Sequence, residues 1–234
     1  MKAVDIGSNP KSARGECFPP REKQSLKPVR RLLSTYPRTL RLRVSSLRHH
    51  AAPQSEAMAT GVLVDFLQGA VHQILYARKV YPPDVFERRR LFDVTVFRSR
   101  HVELNDYIKM VVDSARLLLE RAELDALVVS VLGRPRAAAP SLRPVVLERF
   151  RLDVRLSAAG ASSHLDAEGL AASLRGFLLK LHVCDALLAP LPADAELSFT
   201  AELHTRATSA PHPLPDSLRE AWAETDAGGG GAHT

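Results

Sequence analysis

Apolar positions along this chain recur with a helical period in three stretches and with a strand period between them. Across 61–80, Val62, Leu63, Phe66, Leu67, Ala70, Val71, Ile74 and Leu75 return every three or four residues, which predicts an amphipathic helix. Tyr81-Pro82-Pro83 ends it, since proline removes a backbone donor and clashes with the preceding turn. After the basic cluster Arg88-Arg89-Arg90, the alternation of Phe92-Asp93-Val94-Thr95-Val96 predicts a short edge strand. A second helix follows over 102–121, with Leu104, Tyr107, Ile108, Val111, Val112, Ala115, Leu118 and Leu119 on one face. The nearly unbroken apolar run 127–132 predicts a central strand, and 133–140 turns the chain. Phe150, Leu152, Val154 and Leu156 then alternate with Arg149, Arg151, Asp153 and Arg155, the pattern of an antiparallel return strand with one buried and one wet face.

A third helix is expected to start at Ser163, with Asp166 completing a capping-box-like pair, and to end before Pro190. Its core seam is Leu170, Leu174, Phe177, Leu178, Leu181, Cys184 and Leu188. Arg175, Leu179, His182 and Ala186 form a separate stripe at 3.6 residues per turn. In the last strand, 196–205, Leu197, Phe199, Ala201 and Leu203 face inward and Glu196, Ser198, Thr200, Glu202 and His204 outward. This element order predicts an α/β (α+β) fold with three helices packed on an antiparallel sheet.

Outside 58–206 the patterning fails. Residues 1–57 contain Pro10, Pro19, Pro20, Pro28, Pro37 and Pro53, with 12 Lys and Arg against 4 Asp and Glu, leaving 20 against 22 in 58–234. The basic character therefore belongs to the first quarter, read as a disordered extension. Its composition fits a nuclear-import signal or a mitochondrial transit peptide, and it is a candidate contact for nucleic acid, because Lys and Arg neutralise phosphates without a fold. Residues 207–234 hold Pro211, Pro213, Pro215 and the glycines 228–231, with one short amphipathic candidate around Leu218 and Trp222. No apolar run approaches the roughly 20 residues of a bilayer crossing, so no membrane partner is expected.

The chemistry-bearing residues do not assemble into a catalytic pattern. Cys17 and Cys184 lie in unrelated contexts, which argues against a disulfide framework and suits a reducing compartment. The glycine run precedes no helix, so it forms no phosphate loop. His49-His50 sit in the extension, while His72, His182 and His204 fall on three different elements, without metal-ligand spacing. Cys184 reads as a small core residue. No enzyme activity and no cofactor are expected.

The strings AVHQILYARKVYP (70–82), ELNDYI (103–108), LRGFLLKLHVCDALL (174–188) and ELHTR (202–206) closely resemble the HORMA-domain family. Within it they resemble the mitotic-arrest-deficient B-type branch, the accessory, non-catalytic subunit of DNA polymerase zeta. The resemblance covers about 61–206 in order. It implies an adaptor for translesion synthesis, DNA damage tolerance and repair in the nucleus, with the cytoplasm left open as a second location, whose C-terminal segment crosses a partner peptide like a seat belt and pins it to the sheet edge. The strand 196–205 would receive that peptide. By the same resemblance the peptide-binding residues are Tyr107, Leu197, Phe199 and Trp222, the last as the belt tryptophan. Arg88, Arg175, Leu179, Val183 and Ala186 would form a HORMA–HORMA dimer contact. The expected peptide comes from the polymerase zeta catalytic subunit or from other repair and cell-cycle proteins. The alternatives are a checkpoint or meiotic chromosome-axis adaptor, or a truncated isoform with impaired peptide binding. The family continues after Arg206 into a long belt, where this sequence is rich in proline and glycine, so 207–234 is expected to be a truncated belt or a disordered tail; Met58 stands where the family's chain would begin.

Overall fold

Proline at position 53 starts the first helix rather than stopping it. Its missing N–H falls among the first-turn groups that have no intrahelical partner, and the helix α1 (Pro53–Ala77) runs for 25 residues. The computed structural model describes residues 2–6, 38–48, 53–137, 142–158, 167–206 and 222–226. Cys17, His49, His50, Ser163, Asp166 and Leu218 lie outside these, as does the expected capping pair.

Six strands form the main sheet: β1 (Lys2–Ile6), β2 (Arg38–Arg48), β5 (Leu124–Pro135), β6 (Val145–Ala158), β7 (Ala195–Thr205) and β8 (Trp222–Asp226). Their order is β2-β6-β5-β7-β1-β8. The helices α1, α2 (Val102–Glu120) and α3 (Ala167–His182), with the short α4 (Cys184–Leu187), pack around a core that includes Phe66, Phe150 and Phe199, all without solvent exposure or nearly so. The eight apolar residues expected on the second helix are all buried in α2. Of the expected α3 seam, only Phe177 and Leu188 are less than fully buried.

Four expectations are corrected. The first concerns residues 1–57, where the structure contains β1, β2 and the start of α1. In β2, Leu40, Leu42 and Val44 alternate with Arg41, Arg43 and Ser45, a strand pattern masked by the surrounding prolines and basic residues. This strand runs parallel to β6, from Arg38 opposite Glu148 to Arg48 opposite Ala158, so the sheet is not wholly antiparallel. The second is Phe92–Val96. It is not one strand but the turn and the start of the second strand of a hairpin, β3 (Phe86–Leu91) and β4 (Val94–Ser99), a separate two-stranded sheet. Phe92 and Asp93 have φ of 47° and 61°, the paired positive angles of a two-residue turn whose twist matches the strands. The third is the third helix, which breaks at Val183 and resumes as α4. The fourth is the apolar run: Ala57–Ala77 is long and apolar enough to cross a bilayer, at mean hydropathy 1.2, but 61% of it is buried inside the molecule. It is the central core helix.

Helix side chains tie the hairpin to α1. The backbone N–H groups of Phe97 and Ser99, two residues apart and so on one side of β4, donate to Gln73 Oε1 at 3.2 Å and His72 Nδ1 at 3.4 Å on α1. The helix and hairpin approach closely at Gly69, where a Cβ would press on the tip of the Leu91 side chain and require it to shift.

Candidate functional site

The strand β7 is a pivot because its two sides meet different neighbours. One side pairs with β5 along its length, from Leu124 opposite Thr205 to Pro135 opposite Ala195. On the other side β1 pairs antiparallel with the C-terminal end alone: Ala3 opposite His204, Val4 opposite Leu203 and Asp5 opposite Glu202. Among the described residues, 195–201 have no strand neighbour on that side. Beyond β1 lies β8, with Ile6 opposite Trp222 and Lys2 opposite Asp226. The margin expected to be open is thus partly covered by the chain's own residues, and Trp222 belongs to a strand rather than to the short helix its surroundings suggested. Where β7 is uncovered its backbone groups can template another extended segment.

Beneath this margin is an aromatic cluster. Phe199 is fully enclosed, with the rings of Tyr107 and Tyr81 edge-on to it at 5.4 and 6.3 Å. Phe199 therefore faces the margin through its backbone while its ring is core, and Tyr107 is 9% exposed. Leu197 is half-buried and opens onto a cleft of about 640 Å³ whose walls include Lys79, Tyr81, Pro82, Arg136 and Leu191. The cleft lies at the uncovered N-terminal end of β7. Sequence reasoning missed it, although the proline-rich strings at 82–83 and 190–192 are its walls.

One cleft wall is fixed by Arg78, at the C-terminal end of α1. Its Nε and Nη2 donate to the two oxygens of buried Glu148 on β6 at 2.8 and 2.9 Å, its Nη1 to Asp185 Oδ1 at 2.5 Å and its Nη2 to the Ala189 carbonyl at 2.9 Å. A two-pronged carboxylate contact suits guanidinium geometry. Lys79 follows with φ of 51°, and the bonds from Lys79 N–H to the Tyr76 carbonyl and from Val80 N–H to the Leu75 carbonyl form a Schellman cap. That reversal turns Tyr81 beneath β7.

The residues expected at a HORMA–HORMA contact gather on α3, α4 and the hairpin. Leu179, Val183 and Leu187 are exposed at 51, 53 and 72%, with Ala186 exposed beside them; Leu187, overlooked in the sequence, comes outward because the helix breaks at Val183. Arg175 is engaged within the molecule: its Nε donates to the Phe92 carbonyl at 2.9 Å and its Nη2 to Asp93 Oδ2 at 2.8 Å. Arg88 is exposed on β3, its guanidinium carbon 6.0 Å from the Phe97 ring centroid. His182, from the same expected stripe, is half-buried against the Leu178 carbonyl.

Cys184 is fully buried, and burial pushes its thiol up to about 11, the state of an inert core cysteine. Among the described residues, no group of three or more His, Cys, Asp or Glu converges on a metal position.

Residues 60–198 match the HORMA domain model. The chain is 36% identical over 151 residues to human "Mitotic spindle assembly checkpoint protein MAD2B", covering 62% of this chain and 64% of that protein, so the match spans less than two thirds of that relative. It is 33% identical over 165 residues to the "DNA polymerase zeta processivity subunit" of Arabidopsis thaliana, covering 70% of each. Among solved structures, the fold resembles a chain of the "Crystal Structure of Mitotic Checkpoint Complex", with TM-score 0.55 and 16% identity over 72% of this chain and 82% of that one. It also resembles Caenorhabditis elegans HTP-2 bound to the HIM-3 closure motif, with TM-score 0.52 and 12% identity over 69% and 75%. A helical layer on a sheet whose outermost strand is contributed late in the sequence, together with these matches, places the chain in the HORMA-domain family, in its MAD2B-type branch.

Proposed function

We propose that this protein is a non-catalytic HORMA adaptor that clasps a short partner peptide and serves as the accessory subunit of translesion DNA polymerase zeta in damage tolerance and repair. The observation that carries the reading is the arrangement at the margin: an extended segment, β1, lies between β7 and a late strand, β8. A partner segment taking that place would gain affinity from backbone pairing and specificity from side-chain pockets. Leu197, the cleft beside it and Tyr107 are the groups we assign to peptide recognition, with Phe199 and Trp222 contributing backbone. Such work needs no reacting group. The name of the Arabidopsis relative supports the polymerase assignment.

Titration of the full chain with a synthetic peptide from the polymerase zeta catalytic subunit tests this. Saturable binding that a scrambled peptide lacks is expected, weakened at least ten-fold by Tyr107→Ala and little by Tyr107→Phe. Absence of binding argues against the adaptor. The human relative's name points to the spindle checkpoint. If cross-linking recovers checkpoint or chromosome-axis proteins instead of polymerase subunits, the process changes while the clasp remains.

We assign Leu179, Val183, Ala186 and Leu187, flanked by Arg175 and Arg88, to contact with a second HORMA domain, since several exposed apolar side chains on one short stretch suit an interface. Action in the nucleus follows from the polymerase assignment, and a tagged chain located in mitochondria instead would contradict it.

A further inference from the structure

We infer that Lys2–Ile6 is an internal occupant of the clasp: the chain closes on its own N-terminal strand, and a partner peptide gains the slot only by displacing it. The sheet order puts β1 inside the sheet, between β7 and β8, not at the rim. It makes three residue pairs with β7 and five with β8, so both rows of its backbone groups face a neighbour, the position an adaptor of this kind offers a ligand. The sequence suits it: Val4 and Ile6 alternate with Asp5, and Val4 stands opposite Leu203, a core residue.

Two consequences make this an occupant rather than a spare strand. β8 borders no other strand than β1 among the described residues, so the belt is attached to the sheet through the segment in the slot. Losing that segment frees both. Since β1 belongs to the same chain, it competes as an intramolecular ligand, and the apparent dissociation constant of an outside peptide rises as the inverse of the open fraction. The uncovered stretch of β7, 195–201, beside the cleft, is where an outside strand can begin to pair before it reaches Glu202 and pushes β1 out. The proposed function is needed only for that last consequence; the closure stands on the pairing.

The test uses the full chain and its Val4→Pro/Asp5→Pro variant. Adjacent residues point their N–H groups to opposite sides of a strand, so the two prolines remove one donor toward β7 and one toward β8. Hydrogen exchange over 222–226 should quicken at least ten-fold in the variant while 127–131 in β5 is unchanged. A labelled peptide of residues 1–12 should bind the variant at least ten-fold tighter than the parent and restore protection of 222–226. Equal exchange at 222–226 in both chains overturns the inference. Should the prolines unfold the chain, Ala3→Cys/Thr225→Cys decides, since it breaks no backbone bond between these directly opposed residues: an intramolecular disulfide under mild oxidation, absent from either single variant, upholds closure, and failure to form it refutes closure. A polymerase peptide that binds neither chain while these signatures hold counts against the adaptor function alone.

Discussion

Arg78 is the residue that fixes one wall of the cleft. It is 3% exposed and Glu148 1% exposed, so removing the guanidinium takes from a buried carboxylate the cation that bonds both its oxygens. Arg78→Ala is expected to cost about 3–5 kcal/mol in urea denaturation, whereas a double replacement, Arg78→Met with Glu148→Leu, should recover much of it because no lone charge remains buried. His72 gives a pH signature. Its Nδ1 accepts from Ser99 N–H, which requires that nitrogen unprotonated, and burial, aided by the Arg98 charge, lowers its pKa to about 4. The unfolded chain takes up this proton near pH 6.5 and the folded chain only near 4. Its contribution is thus fully present above about pH 6.5 and declines as pH falls toward 4. Between pH 7 and 5 the parent should lose about 2 kcal/mol more stability than His72→Gln, from the linkage of one such proton. A parallel pH dependence in the two would contradict the assignment. Ala122, with φ of 57°, closes the Schellman cap of α2; Ala122→Gly should stabilise by roughly 0.5–1 kcal/mol because glycine takes this angle without a Cβ clash. The buried face of α2 is legible in sequence, since periodicity reports it directly. The Arg78–Glu148 pair is not, because its members are 70 residues apart and nothing local marks either as buried.

Among the elements, the hairpin β3–β4 shows why alternation alone misleads. Phe92-Asp93-Val94-Thr95-Val96 has a strand's pattern, but the first two residues carry positive φ without the Asn-Gly signature such turns favour. α3 holds that turn through Arg175. Arg175→Ala should speed exchange around 91–94 while leaving β5 protection intact, because an ion pair exposed at 46 and 62% orders a turn more than it stabilises a fold. The outward stripe on α3 and α4 makes a separate prediction. If it joins a second HORMA domain, Leu179→Glu with Val183→Glu should abolish self-association in sedimentation velocity with little loss of stability; self-association at the parent's strength would place the contact elsewhere. Two of its residues follow from helical spacing, but Leu187 requires the break at Val183, which the sequence does not announce.

At the scale of the molecule, the stretch before α1 supplies strands to both flanks of the β6-β5-β7 core: β2 beside β6, and β1 beside β7. Composition concealed this, because prolines and a surplus of basic side chains describe the connections better than the two short alternating runs within them, and the pairings are far from local. The helices and the three core strands were legible because their patterns are long and one-sided; what completes the sheet was not. The proposed function belongs to this scale, since it rests on a margin half covered from within. The most direct measurement is hydrogen exchange of the full chain with and without saturating polymerase zeta catalytic-subunit peptide. New protection over 195–201 and loss of protection over 2–6 are expected. Protection confined to α3 and α4, or no change at β7, would contradict the clasp.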